Sequence, residues 1–127
     1  MRSVIIVDDE DDCRDSLHET LELSGIDVAG TGVNGEEAYQ LYEKFLPDVT
    51  ILDLNMPDYD GNYAIEKIKR KYPDARIVVV TGFVDYEFDQ NKVDGVICKP
   101  YSSQDLINLM NKICSPLNSN LTNWYVG

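Results

Sequence analysis

The sequence predicts a doubly wound α/β domain, on the strength of three observations. Four short runs, Val4-Ile5-Ile6-Val7, Val49-Thr50-Ile51-Leu52, Ile77-Val78-Val79-Val80 and Val96-Ile97-Cys98, are continuously apolar or β-branched rather than alternating. Strands covered on both faces, as in a buried parallel sheet, have that pattern. Segments with apolar residues at helical spacing fall between the runs. Each run also ends on polar residues of its own kind: Asp8-Asp9, Asp53, Thr81 and Lys99-Pro100. Ligands of open α/β sheets bind outside the carboxyl ends of the strands, so these side chains are expected to share one crevice.

Taken in order, residues 3–7 read as the first strand and about 10–24 as a helix, with Cys13, Leu17, Leu21 and Ser24 on one face and Gly25 as its stop signal. Ile26 to about Thr31 is a weaker strand, and residues 35–46 carry Ala38, Leu41, Tyr42 and Phe45 at helical spacing. The strand at 48–53 leads into the loop Asn55-Met56-Pro57 and then Gly61, with a helix at about 62–71. After a turn at Tyr72-Pro73-Asp74 comes the strand at 76–81. Residues 84–91 make a poor, acidic helix candidate. A strand at 95–98 and a helix at 102–114, with Leu106, Ile107, Met110 and Ile113 facing inward, close the domain. Five strands alternating with five helices through short loops leave no room for a repeat or an interdomain linker. The expected division is a domain at 1–114 and a tail at 115–127. The tail carries Leu117, Leu121, Trp124 and Tyr125, and reads either as a frayed terminus or as a short amphipathic docking segment.

At 127 residues the chain is large enough for one core and too small for two. Its net charge of −12 extends well beyond the acids proposed for the crevice. Such a surface repels nucleic acid phosphates and anionic lipid, so the expected partners are proteins presenting Lys or Arg. No stretch approaches a membrane span, and residues 1–10 turn acidic where a signal peptide needs an apolar core. Cys13, Cys98 and Cys114 are odd in number and far apart, which suits reduced thiols in a cytoplasm better than disulfides or zinc.

Three carboxylates, a hydroxyl and an ammonium at one crevice suit a divalent cation together with a phosphoryl group. Mg²⁺ takes oxygen ligands and usually only one or two protein carboxylates, which Asp9 and Asp53 can supply. Clustered acids repel, so without a cation at least one carboxyl pKa should rise. With a cation bound, one carboxylate can act as a nucleophile toward phosphorus. Lys99 then offers a point charge, and Thr81 a hydroxyl, to the new phosphoryl oxygens.

The residues Val7-Asp8-Asp9-Glu10, Leu52 to Gly61 (LDLNMPDYDG), Val80-Thr81-Gly82 and Lys99-Pro100, in that order and at strand ends, resemble the response regulator receiver domain, here as a stand-alone unit. The resemblance covers about residues 2–114. It implies a flavodoxin-like sheet of strand order 2-1-3-4-5, and a signalling phosphoacceptor, not an enzyme, that catalyses its own phosphorylation and dephosphorylation. It implies that Asp53 accepts a phosphoryl group from a histidine kinase or phosphotransfer protein, and that the change of state alters binding to a downstream protein. It also implies that Asp9, Asp53 and the backbone carbonyl of Asn55 bind Mg²⁺, and that Asp8 acts through water. Thr81 and Lys99 would grip the phosphoryl oxygens, and the bond before Pro100 is expected to be cis.

Two departures from the family pattern fall on its signalling face. Val96 stands where an aromatic switch residue is usual, and Thr81 to Lys99 spans 18 residues, about one helical turn short. The fourth helix is therefore expected to be short or irregular. Phe83, Tyr86 and Phe88 are candidates for the output surface, though core packing explains some of them equally well, and Phe83, two residues beyond Thr81, is expected to retard hydrolysis of the phosphorylated form.

Other readings compete. Glu10 to Asp12 fit a solvated acidic patch at a helix start. His18 reads as a solvated side chain, and Cys98 as a core residue. A hydrolase of the haloacid-dehalogenase type would need a second Asp at position 55, where this chain has Asn, and also a cap domain. A flavin-binding reading would need a phosphate-cradling loop after the first strand. A constitutive protein-binding module, which keeps the fold but does not switch, is the alternative that Val96 and the short fourth helix motivate.

Overall fold

A computed structural model describes residues 2–82 and 87–113. Its sheet contains β1 (Ser3–Val7), β2 (Asp27–Gly32), β3 (Val49–Asp53), β4 (Ile77–Thr81) and β5 (Gly95–Cys98). All neighbours pair in parallel, in the order β2-β1-β3-β4-β5. The helices are α1 (Asp11–Leu23), α2 (Gly35–Phe45), α3 (Gly61–Lys71) and α4 (Ser103–Ile113).

Side chains alternate across each strand, and this sorts the apolar runs into two cores. Ile5, Val7, Leu52, Ile77 and Val79 point toward α2 and α3, where they meet Ala38, Tyr42, Ala64, Ile65 and Ile68. Val4, Ile6, Ile51, Val78 and Val80 point the other way, onto Leu17 and Leu21 of α1 and Leu106 and Met110 of α4. Both faces are covered, which is why β3 and β4 are buried along their whole length. The edge strands β2 and β5 are only partly covered, and their sequences are correspondingly less apolar.

Local signals set the helix ends. Asn34 caps α2 by accepting from the Glu37 backbone N–H, and Asp60 caps α3 by accepting from that of Tyr63 at 2.9 Å. The α1 helix stops at Gly25, whose φ of +83° suits a residue without a side chain. Among the described residues, no helix is long and apolar enough to cross a membrane.

The sheet order and the strand positions match the sequence reading, with four α-helices among the described residues rather than five. In place of the fourth helix the described residues hold a single 3₁₀ turn, Gln90–Lys92. Phe83 and Tyr86 lie outside the described residues, as does the tail, and Phe88 packs partly buried on the core beneath α3. Cys98 requires a correction, because it is exposed rather than packed in the core. It shares one face of β5 with Val96, also exposed at 41%, whereas Ile97 between them packs against the core under α4. Alternation does assign Cys98 to one face, but on this edge strand that face is not covered.

Candidate functional site

The strand order reverses between β1 and β3, because β1 continues outward to β2 while β3 starts the other half of the sheet. A crevice opens at such a switch point. Asp8 and Asp9 follow directly on β1, Asp53 is the last residue of β3, Thr81 the last of β4, and Lys99 follows β5. They converge on a cleft of about 320 Å³ lined by Asp9, Glu10, Asp53, Asn55, Gly82 and Lys99.

One oxygen from each of Asp8, Asp9 and Asp53 lies within 4.8 Å of the others. Asp8 is 1% exposed and Asp53 7%, while Asp9 faces solvent. Asp8 is fixed by the Glu10 backbone N–H, which donates to its Oδ1 at 2.9 Å. Asp53 accepts a longer bond, 3.3 Å, from the backbone N–H of Asn55. At the next strand ends, the Lys99 backbone N–H donates to the carbonyl of Thr81 at 2.8 Å, tying the lysine to the hydroxyl-bearing residue. Thr81 itself is buried, and the Lys99–Pro100 peptide bond is cis.

The electrostatics of the cluster are unbalanced. Burial, with Asp8 and Asp9 nearby, pushes the Asp53 carboxyl up to about 6, although Lys99 and the Asn55 N–H pull the other way. Lys99 responds in the opposite sense. Burial works against its charge, yet Asp53 and Asp8 outweigh it and hold the ammonium above the usual lysine range. One ammonium thus faces two buried carboxylates and one exposed one. An oxygen-only donor set with excess negative charge, and no His or Cys among the three, fits a hard divalent cation such as Mg²⁺.

The structure brings together Asp8, Asp9, Asp53, Asn55 and Lys99 as the sequence places them, with Thr81 at the adjoining strand end. Val96 lies apart from the cleft, on the exposed face of β5. His18 is solvated and pairs with Glu22 at 3.7 Å. Two neighbours of the site escaped the sequence reading. Glu10 lines the cleft and comes within 3.7 Å of Lys99. Cys13 turns away from the expected core face, so that the Lys99 ammonium donates to its sulfur at 3.8 Å. The available signal was spacing: Cys13 sits three residues after Glu10, one helical turn along the same side.

A parallel α/β sheet with acids, a hydroxyl and a lysine at its switch point defines a class of phosphate-handling domains. Similarity to known proteins narrows the class. Residues 4–111 match the response regulator receiver domain family, and the chain belongs to that family. It is 30% identical over 116 residues to the chemotaxis protein CheY of Thermotoga maritima, covering 88% of this chain and 97% of that protein. It is 32% identical to the response regulator protein VraR of Staphylococcus saprophyticus, covering 86% of this chain but only 54% of VraR. Among solved structures, the response regulator TrrA of Thermotoga maritima, in complex with Mg(2+)-BeF, superimposes with a TM-score of 0.82 at 30% identity, covering 89% of this chain and 99% of that one.

Proposed function

We propose that this receiver domain is a phosphoacceptor switch in which Asp53 takes a phosphoryl group from a histidine kinase or phosphotransfer protein in an Mg²⁺-dependent reaction. The observation that carries the proposal is the Asp53 carboxylate itself. It stands at the switch point, 3.9 Å from Lys99 Nζ, with the oxygens of Asp8 and Asp9 close enough to share one cation. The Mg(2+)-BeF complex of TrrA, a relative at 30% identity, supports extending the same chemistry to this chain.

The residues divide the work by chemistry. Asp9, Asp53 and the Asn55 carbonyl would hold Mg²⁺ directly, with Asp8 reaching it through water. The cation would neutralise the clustered carboxylates and the phosphoryl oxygens, which lets Asp53 attack as an anion. An Asp53 oxygen attacks phosphorus, and the donor's bond to phosphorus breaks, its electron pair leaving with the donor. Lys99 then meets a group carrying close to two negative charges, and the Thr81 hydroxyl donates to one of its oxygens. Hydrolysis returns the Asp53 carboxylate and inorganic phosphate. Cytoplasmic signalling to a protein target accords with this chemistry and with a net charge of −12. Val96 lacks a ring that could rotate, so the output would run through the β5 face and the segment around Phe83 and Pro100 rather than through an aromatic switch.

Intact mass after incubation with a small acyl phosphate tests the reading. The expected result is a gain of one phosphoryl group that requires Mg²⁺ and is absent in Asp53→Ala. No gain, in folded protein shown to bind Mg²⁺, would overturn the reading and favour a binding module that does not switch.

A further inference from the structure

Lys99 has more acceptors around it than the phosphoryl chemistry uses. Its Nζ lies 3.5 Å from Asp8 Oδ2, 3.7 Å from Glu10 Oε1 and 3.9 Å from Asp53 Oδ2. It also donates to Cys13 Sγ at 3.8 Å. None of the three carboxylate distances reaches the roughly 2.7–2.9 Å of a committed charge-assisted bond. The ammonium is shared among these groups rather than bound to Asp53.

The two neighbours without a role so far are joined to each other. The Cys13 thiol donates at 3.3 Å to Glu10 Oε1, the same oxygen that faces Lys99. The Glu10 backbone is pinned as well: its N–H donates to Asp8 Oδ1 at 2.9 Å, and its carbonyl accepts from Arg14 N at 3.0 Å. Only the Glu10 side chain, 66% exposed, would be free to turn to water. An exposed ion pair gains too little to hold such a side chain by itself. The thiol, one helical turn along, adds a second contact to the same carboxylate oxygen.

We propose that Cys13 is a positioning residue whose thiol holds the Glu10 carboxylate against Lys99, giving the ammonium a second seat on the α1 side of the cleft. That seat competes with a phosphoryl group on Asp53 for the one lysine, and so limits how tightly the phosphorylated state is held. The inference rests on the phosphoacceptor reading and adds a control of that state to it. A doubly charged phosphoryl group loses twice by this arrangement. Part of the Lys99 charge is diverted, and the Glu10 carboxylate adds repulsion of its own.

Because the competition is an equilibrium property, the test is the affinity for beryllofluoride, a phosphoryl mimic, measured by calorimetry in saturating Mg²⁺. Glu10→Gln is expected to tighten binding several-fold, and Cys13→Ala to tighten it in the same direction. Cys13→Ser keeps a donor and should stay near the wild-type value. In a Glu10→Ala background, Cys13→Ala should add nothing, since the positioning role runs through the Glu10 side chain rather than through the long 3.8 Å contact of Cys13 with Lys99. Equal affinities across the variants, or a Cys13→Ala effect that persists without Glu10, would overturn the inference while leaving the phosphoacceptor reading intact. Failure of the wild type to bind beryllofluoride at all would overturn both. A second readout needs no ligand: Glu10→Ala, which removes the accepting oxygen, should speed alkylation of Cys13 several-fold, followed on the peptide that carries it. Burial first, and then the bond to Glu10, hold this thiol above its usual pKa, and the substitution removes the second. An unchanged alkylation rate would show that the bond does not hold the pair together.

Discussion

In metal-free buffer at pH 7.5, Asp53→Asn is expected to be more stable than the wild type. The folded state holds the Asp53 proton more tightly than the unfolded chain does, because its pKa rises from 3.8 to about 6. Below pH 3.8 both states are protonated and the carboxyl costs nothing. As pH rises from there, the unfolded chain gives up its proton first, so stability falls, and the whole penalty is present above about 6. A shift of that size corresponds to about 3 kcal/mol as an upper value. Asparagine removes the ionisation, and Lys99 keeps Asp8 and Glu10 as partners, so no buried charge is orphaned. Thermal unfolding in a chelator should show Tm higher by several degrees for Asp53→Asn at pH 7.5, with the gap closing toward pH 4. Added Mg²⁺ should narrow it too, by stabilising the wild type more than the variant. A wild type that equals or exceeds Asp53→Asn at pH 7.5 without metal would contradict the electrostatic account of the cluster.

Gly61→Ala is expected to lose about 3 kcal/mol and 10 °C or more in Tm. A Cβ at Gly61 would stand 2.6 Å from the Asp53 carbonyl oxygen and 2.7 Å from the Leu54 Cα, both backbone atoms that cannot rotate away. The Gly61 N–H donates to the Leu54 carbonyl at 3.0 Å, so α3 starts directly against the end of β3. Relieving the clash means moving either the helix or the strand end that carries Asp53, and Mg²⁺ affinity should fall along with stability. Gly25→Ala is the matching control. Its φ is +83°, but no atom lies within 4 Å of the added Cβ, so only backbone strain of about 1 kcal/mol is expected. Equal losses at the two glycines would show that close approach at the β3 end is not what requires Gly61.

The central strands were legible in the sequence because burial on both faces forces continuous apolar runs, as in Ile77 to Val80, and few settings besides a doubly covered sheet favour them. The site was legible for a related reason, since Asp8, Asp53, Thr81 and Lys99 interrupt apolar chemistry at the strand ends, where a core offers them nothing. The edges were less legible. Cys98 alternates correctly along β5, but whether its face is covered depends on the connection before it, which holds a 3₁₀ turn among its described residues. Glu10 and Cys13 were missed for the opposite reason. An acid at a helix start and a thiol one turn later are commonplace in solvated helices, and only the position of the Lys99 side chain reveals that both face it.

The central claim is that the carboxylate at the end of β3, and no other, takes the phosphoryl group. Reductive trapping tests it most directly. Borohydride converts an aspartyl phosphate to homoserine, and peptide mass spectrometry then locates the change. After treatment with acyl phosphate and Mg²⁺, the account predicts homoserine at position 53 alone, and none when Mg²⁺ is withheld. Homoserine at Asp8 or Asp9, or trapping that does not depend on Mg²⁺, would contradict it.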